Sequence, residues 1–158
     1  MSYDKNVQMA KNRCFRLLTY RPRTEYELKC RLKQAGFDTA VIEETILILQ
    51  RVGLIDDKLF ARDWVRYRLA TKPVGREYLR CELRHKGIDN VIIEDLLCDY
   101  DDQDELEKAL ALARKRMRHC TKLNRRTLSG YLNRRGFSCA VVAKVCNTLA
   151  DNGQLDIS

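Results

Sequence analysis

The chain has 158 residues, 45% of them hydrophobic and 33% charged, with a formal net charge of +8. A chain of this length buries about 68–70% of the surface it exposes when unfolded, enough for a domain-sized core. Apolar residues recur along almost the whole length, which excludes extended disorder, and no run approaches the roughly 20 apolar residues that cross a bilayer.

The polar opening from Met1 to Asn6 precedes no apolar run of signal-peptide length, so a cytoplasmic protein is expected. Two prolines and seven glycines leave little punctuation for hairpins, and Asn152-Gly153 is the lone hairpin dipeptide; the balance favours helices. Seven scattered cysteines (Cys14, Cys30, Cys81, Cys98, Cys120, Cys139, Cys146) include no C-x-x-C pair, and His85 and His119 are the only histidines. Neither a disulfide framework nor a zinc site fits that pattern. The thiols are expected to serve as small apolar side chains, with no metal and no cofactor.

In chain order, a first helix is expected over roughly residues 8–20, closed by Arg21-Pro22-Arg23, where proline interrupts least. Thr24-x-x-Glu27 reads as a capping box. It opens a second helix whose Leu28 and Leu32, four apart, share one face. Gly36 ends that helix, because a left-handed backbone is easiest without a Cβ. Asp38 is an N-cap residue type for a third helix carrying the β-branched pair Val41-Ile42.

The series then recurs. A helix over 57–71 and a break from Thr71 to Val74, holding Pro73, lead to Leu79, Leu83, Gly87-Ile88, Asp89 and Ile92-Ile93. A helix over 102–120 and a break from Thr121 to Leu123 lead to Leu128, Leu132, Gly136-Phe137, Ser138 and Val141-Val142. The anchoring glycines stand 51 and 49 residues apart, a repeat of one supersecondary unit. Leu49, Gly53, Ile55 and Asp56 are echoed by Leu149, Gly153, Leu155 and Asp156, which places the start of a fourth unit at the end of the sequence. The expected fold is all-α: three tandem three-helix modules at 1–55, 56–100 and 101–158, about nine helices in all, without strands.

The same residues carry a family resemblance. Arg21-x-x-Thr24-x-x-Glu27-Leu28-x3-Leu32-x3-Gly36-Phe37 is followed by Gly53-Leu54-Ile55-Asp56-Asp57-x-x-Phe60-Ala61, Trp64-Val65 and Arg68, then by Gly75-x3-Leu79-x3-Leu83-x-x-Lys86-Gly87-Ile88. In order and spacing this set resembles the RecX family, most closely over residues 14–97 and more loosely in the third unit. Leu54 departs from the pattern, since an aromatic residue is common there, yet it still supplies apolar bulk. The resemblance implies an elongated, curved, all-helical regulator without enzymatic activity. It further implies binding in the groove of the RecA–single-stranded-DNA filament, contact with DNA, and modulation, in the direction of inhibition, of RecA's ATPase, recombinase and coprotease activities.

Charge is distributed unevenly. Between Lys108 and Ala150 there are eleven Lys and Arg and no carboxylate, so this segment carries +11; the remainder, 19 basic against 22 acidic residues, carries −3. A basic face of that density attracts phosphate or an acidic protein surface, and arginine suits bidentate contacts to their oxygens. The candidate contact residues for the RecA–DNA filament are Arg114, Lys115, Arg116, Arg118, Lys122, Arg125, Arg126, Arg134 and Arg135. Part of the asymmetry has a structural reading: Asp101, Asp102, Asp104, Glu105 and Glu107 open a helix that ends in Arg114 to Arg118, which complements its dipole. In the second module Arg62, Arg66, Arg76, Arg80 and Arg84 are interleaved with Asp63, Glu77 and Glu82, favouring a solvated, ion-paired face over direct binding. Phe60, Trp64 and Tyr67 fall on one stripe; core packing is the favoured role and base stacking against single-stranded DNA the alternative.

Two rival classes remain on the residues alone. No G-x-x-x-x-G-K-[ST] loop or G-x-G-x-x-G turn is present, and the paired carboxylates Glu43-Glu44 and Asp56-Asp57 lie in or at the start of helices, so an enzyme is not expected. Three-helix units with tight glycine turns and a basic segment also suit a helix-turn-helix-like regulator acting directly on DNA. Without a heptad seam the chain is expected to be a monomer.

Overall fold

The computed structural model describes residues 2–120 and 123–156. Among the described residues there are nine α-helices and no strand; one isolated bridge pairs Asn124 with Asp156. The helices are α1 (Tyr3–Tyr20), α2 (Glu25–Gln34), α3 (Thr39–Arg51), α4 (Asp57–Thr71), α5 (Arg76–His85), α6 (Asn90–Cys98), α7 (Asp102–His119), α8 (Arg125–Arg134) and α9 (Cys139–Asp151). The expected succession of helix, leucine helix and β-branched helix is present three times.

Local signals account for most boundaries. Thr24 accepts the Glu27 N–H at 3.2 Å, Asn124 that of Thr127 at 2.9 Å and Ser138 that of Val141 at 3.3 Å, each satisfying a donor that the first turn leaves open. Glu27 does not complete the capping box; its carboxylate pairs instead with Arg21 at 2.9 Å and Lys86 at 3.2 Å. The leucine helices end alike. Phe37, Ile88 and Phe137 donate their N–H to Leu32, Leu83 and Leu132, five residues back, and Gly36, Gly87 and Gly136 take φ of 78 to 88°, the Schellman geometry. Helix α1 begins at Tyr3, five residues before the expected start. Its first turn is tied down because the Tyr3 hydroxyl donates to the Glu44 carboxylate and the Ala40 carbonyl of α3.

The chain divides into two compact units, residues 1–63 with 83–92 and residues 64–82 with 93–158. In the first, α1 and α2 pack on α3, and Ala10, Cys14, Leu28, Leu32, Ile46 and Leu49 form its core. In the second, α7 and α8 pack on α9 around Ala109, Leu128, Leu132, Val145, Cys146 and Leu149. The echoed exits act alike: Ile55 and Leu155 each fold back onto the core of their own unit. Of the cysteines only Cys14 and Cys146 are buried; Cys30 and Cys120 are half-buried, and Cys81, Cys98 and Cys139 are exposed. The apolar role expected for all seven therefore applies to Cys14 and Cys146, and to the half-buried Cys120, which packs against the core of the second unit. Burial pushes the Cys14 thiol up to about 11.

Each unit contains one junction between successive repeats, and the two are built alike. In the first, the start of α2 is the socket. The Thr24 hydroxyl donates to the Lys86 carbonyl at 2.7 Å, and Asp57 accepts the Glu25 N–H at 3.0 Å. In the second, the start of α5 is the socket. Gly75 and Glu77 donate their N–H to the carbonyls of Arg135 at 2.9 Å and Gly136 at 3.1 Å, and Glu105 accepts the Arg76 N–H at 3.3 Å. Each socket thus receives the glycine turn that ends the next leucine helix, together with a first-turn carboxylate of the next repeat. The approach is close: a Cβ on Gly87 would lie 2.2 Å from the Tyr26 side chain, and one on Gly136 2.3 Å from the Tyr78 nitrogen.

Candidate functional site

Helix α7 is held at its acidic end and presents its basic end. Asp101 caps it, accepting the Gln103 N–H at 3.2 Å. Asp102 and the buried Glu105 both pair with Arg76, so part of the acidic cluster is engaged in the junction as well as complementing the helix dipole. Burial, then the neighbouring Glu105 carboxylate, raises the Tyr100 phenol above its ordinary value; its hydroxyl donates to the Val74 carbonyl at 3.2 Å.

At the other end Arg114, Lys115, Arg116 and Arg118 are exposed on α7, Arg126 and Arg134 are exposed on α8, and Arg125 and Arg135 are half-buried. Lys122 lies outside the described residues. The half-buried Tyr131 brings two of these side chains together: the Arg116 guanidinium stands 5.1 Å from its ring centre and that of Arg135 5.4 Å. Cation–π attraction thereby gathers charge from α7 and from the end of α8. Nothing in the charge pattern pointed to Tyr131; its position three residues after Leu128 was the available signal, since residues three apart neighbour on a helix. Arg125 donates to the Asn147 side chain at 2.9 Å. None of these eight side chains makes an ion pair among the described residues.

The second repeat behaves differently. Arg80 pairs with Glu77 and Glu94, Arg76 with Asp102 and Glu105, and Arg84 donates to Asn90, as the interleaved charges led us to expect. Arg62 and Arg66 are exposed without an ion pair among the described residues. The aromatic stripe departs from the favoured core role: Phe60 and Trp64 are half-buried and Tyr67 is 57% exposed. Polar partners explain this. Glu82 accepts from Trp64 Nε1 and from Arg68 Nε, both at 2.9 Å, and its other oxygen meets Arg68 Nη2 at 2.8 Å. The Arg68 guanidinium in turn lies 4.9 Å from the Trp64 ring centre and 6.0 Å from that of Tyr67.

Three of the four paired carboxylates have structural partners: Asp56 accepts the Leu59 N–H at 3.1 Å, Asp57 that of Glu25, and Glu44 the Tyr3 hydroxyl. Among the described residues no cluster of His, Cys, Asp and Glu is placed to hold a metal ion, and no helix is long and apolar enough to cross a membrane.

Comparison with known proteins places this architecture. Residues 10–47 match the family model of the RecX first three-helix domain, and residues 56–97 that of the RecX second three-helix domain. Regulatory protein RecX of Mycobacterium sp. (strain JLS) is 39% identical over 141 residues, covering 84% of this chain and 76% of the relative. The chain belongs to the RecX family. Regulatory protein RecX of Mycobacterium leprae (strain Br4923) is 37% identical over 150 residues, covering 91% of this chain and 87% of its own. The crystal structure of RecX from Lactobacillus salivarius superposes with a TM-score of 0.84 at 28% identity, covering 93% of this chain and 98% of that one. The RecX relatives are named regulatory proteins, and the all-helical tandem architecture is shared with the solved RecX fold.

Proposed function

We propose that this chain is a non-catalytic cytoplasmic regulator that binds the RecA–single-stranded-DNA filament along its groove and lowers RecA's ATPase, recombinase and coprotease activities. The observation that carries the reading is the basic surface of the third repeat, which makes no ion pair among the described residues. Arg114, Lys115, Arg116, Arg118, Arg126 and Arg134 are exposed in a segment with no carboxylate. Charges without a carboxylate beside them are available to phosphates and to acidic protein side chains. The three modules, at 1–55, 56–100 and 101–158, supply a series of docking elements, and Lys122 adds to the basic set by sequence.

The test is RecA's single-stranded-DNA-dependent ATP hydrolysis, with the chain titrated from well below to equal RecA. Inhibition at substoichiometric amounts is expected. Reversal of Arg125 and Arg126 to glutamate should weaken filament binding with the helical circular dichroism intact. Each lost single-strand phosphate contact reduces the salt slope of log K by about 0.7. Unchanged affinity and salt slope in that variant would remove the basic face from the reading. Full RecA activity at equal amounts, with tight binding to one duplex site, would favour a helix-turn-helix-like regulator acting directly on DNA.

A further inference from the structure

Positive charge without a carboxylate is not confined to the third repeat. From Lys5 to Thr24 there are six Lys and Arg and no Asp or Glu. Arg13, Arg16 and Tyr20 of α1 stand three and four residues apart and so share one face of the helix, and all three are exposed. Tyr20, at 84%, is the most exposed aromatic side chain among the described residues. Neither arginine makes an ion pair among those residues.

Directly after Tyr20 the chain enters an open hollow of about 320 Å³, lined by Arg21, Arg23, Tyr26, Glu27 and Arg31 among others. That volume is at the small end of the range for ligand pockets. Its charge is lopsided. Glu27, the one carboxylate in the lining among the described residues, is shared between Arg21 at 2.9 Å and Lys86 at 3.2 Å. Arg23 and Arg31 make no ion pair among those residues. Arg23 is half-buried and anchored, its Nε donating to the Leu17 carbonyl at 3.2 Å. Burial, then the Arg21 charge, lowers Arg23 below its ordinary value, with Arg31 adding to the effect and Glu27 opposing it. The guanidinium groups crowd one another, and a bound anion relieves that repulsion. Tyr26 is 53% exposed while its Cβ end packs against the Gly87 turn, where a Cβ on the glycine would come within 2.2 Å.

Guanidinium groups in this setting take phosphate or carboxylate oxygens. The exposed rings decide between the two. An acidic peptide has no need of an aromatic platform, whereas the unpaired bases of a single strand stack on tyrosine and those of a duplex do not. We propose that this face of the first repeat binds single-stranded nucleic acid without sequence preference, its phosphates meeting Arg13, Arg16, Arg23 and Arg31 and its bases stacking on Tyr20 and Tyr26. The proposal is separate from the filament reading in place and in partner: it concerns a bare strand and needs neither RecA nor the third repeat.

Fluorescence anisotropy of a labelled oligo(dT), with the full chain, without RecA and at low salt, tests it. The measurement is made on the wild type and on a chain carrying Arg125→Glu and Arg126→Glu, in which the third-repeat surface is weakened. In both, Tyr20→Ala should lower the affinity about tenfold, while Tyr20→Phe, which keeps the ring, should bind like its parent. Arg16→Gln and Arg31→Gln should each reduce the salt slope of log K by about 0.7. An abasic strand of the same length should bind more weakly and be indifferent to Tyr20→Ala. Unchanged affinity in Tyr20→Ala, an equal loss on the abasic strand, or a polyglutamate peptide held as tightly as the oligonucleotide each overturns the proposal.

Discussion

Thr24 is the residue on which the first junction turns, and Thr24→Val isolates its contribution. The side chain is fully buried, donates to the Lys86 carbonyl at 2.7 Å and accepts the Glu27 N–H at 3.2 Å. Valine has the same shape and suits the extended backbone at φ −79°, ψ 162°, so no cavity or strain enters the comparison. Loss of the cap costs about 1 kcal/mol. Removing the donor from a carbonyl beside a fully buried site costs about 1–3 kcal/mol more, a total of about 2–4 kcal/mol. With a urea m-value of about 2 kcal/mol/M the unfolding midpoint should fall by about 1–2 M. Thr24→Ser keeps both hydrogen bonds and loses one methyl, about 0.8 kcal/mol. Equilibrium urea unfolding of the three proteins by circular dichroism decides the matter. A valine variant no less stable than the serine variant would show that the hydroxyl does not hold the junction together.

Three further outcomes are expected. Glu82→Gln removes the charge that binds Arg68 while leaving an oxygen for Trp64 Nε1; with both side chains of the ion pair about one-fifth exposed, the cost is about 1 kcal/mol. Trp64 is the only tryptophan, so its emission should shift as Arg68 is released, and an unchanged spectrum would argue against the pairing. Burial raises the Asp57 carboxyl above its ordinary value, against the lowering effect of its bond to the Glu25 N–H. The folded state therefore binds more protons than the unfolded state between the two pKa values. Stability should fall as pH rises through that window and level off above the folded pKa. Asp57→Asn should flatten this segment of the stability–pH profile, and an unaltered slope would contradict the assignment. With a thiol reagent on the native protein, Cys81, Cys98 and Cys139 should react promptly, whereas Cys14 and Cys146 should react only on unfolding; mass spectrometry of the labelled peptides reads the order.

The succession of nine helices was legible in the sequence because the signals that set it are local. A capping oxygen three residues from the N–H it accepts, leucines four apart, and a glycine whose turn bonds five residues back each act within about two turns of chain. The reading slipped where a local element is fixed by a distant one: α1 starts at Tyr3 because α3 holds its hydroxyl. The basic character of the third repeat was equally plain, since charge is a property of composition.

Which charges remain available was settled only by the tertiary structure. Arg76 and Arg125 occupy the same place in the repeat, yet Arg76 is drawn into ion pairs with Asp102 and Glu105 while Arg125 donates to the Asn147 carboxamide and makes no ion pair among the described residues. The gathering of Arg116 and Arg135 on Tyr131, the exposure of Tyr67, and the bond from Thr24 to a carbonyl 62 residues away likewise depend on how the helices come to lie beside one another. The sign of a charge and the period of a helix say which face a side chain occupies; the partner it finds there is fixed by distance in space, which chain order does not specify.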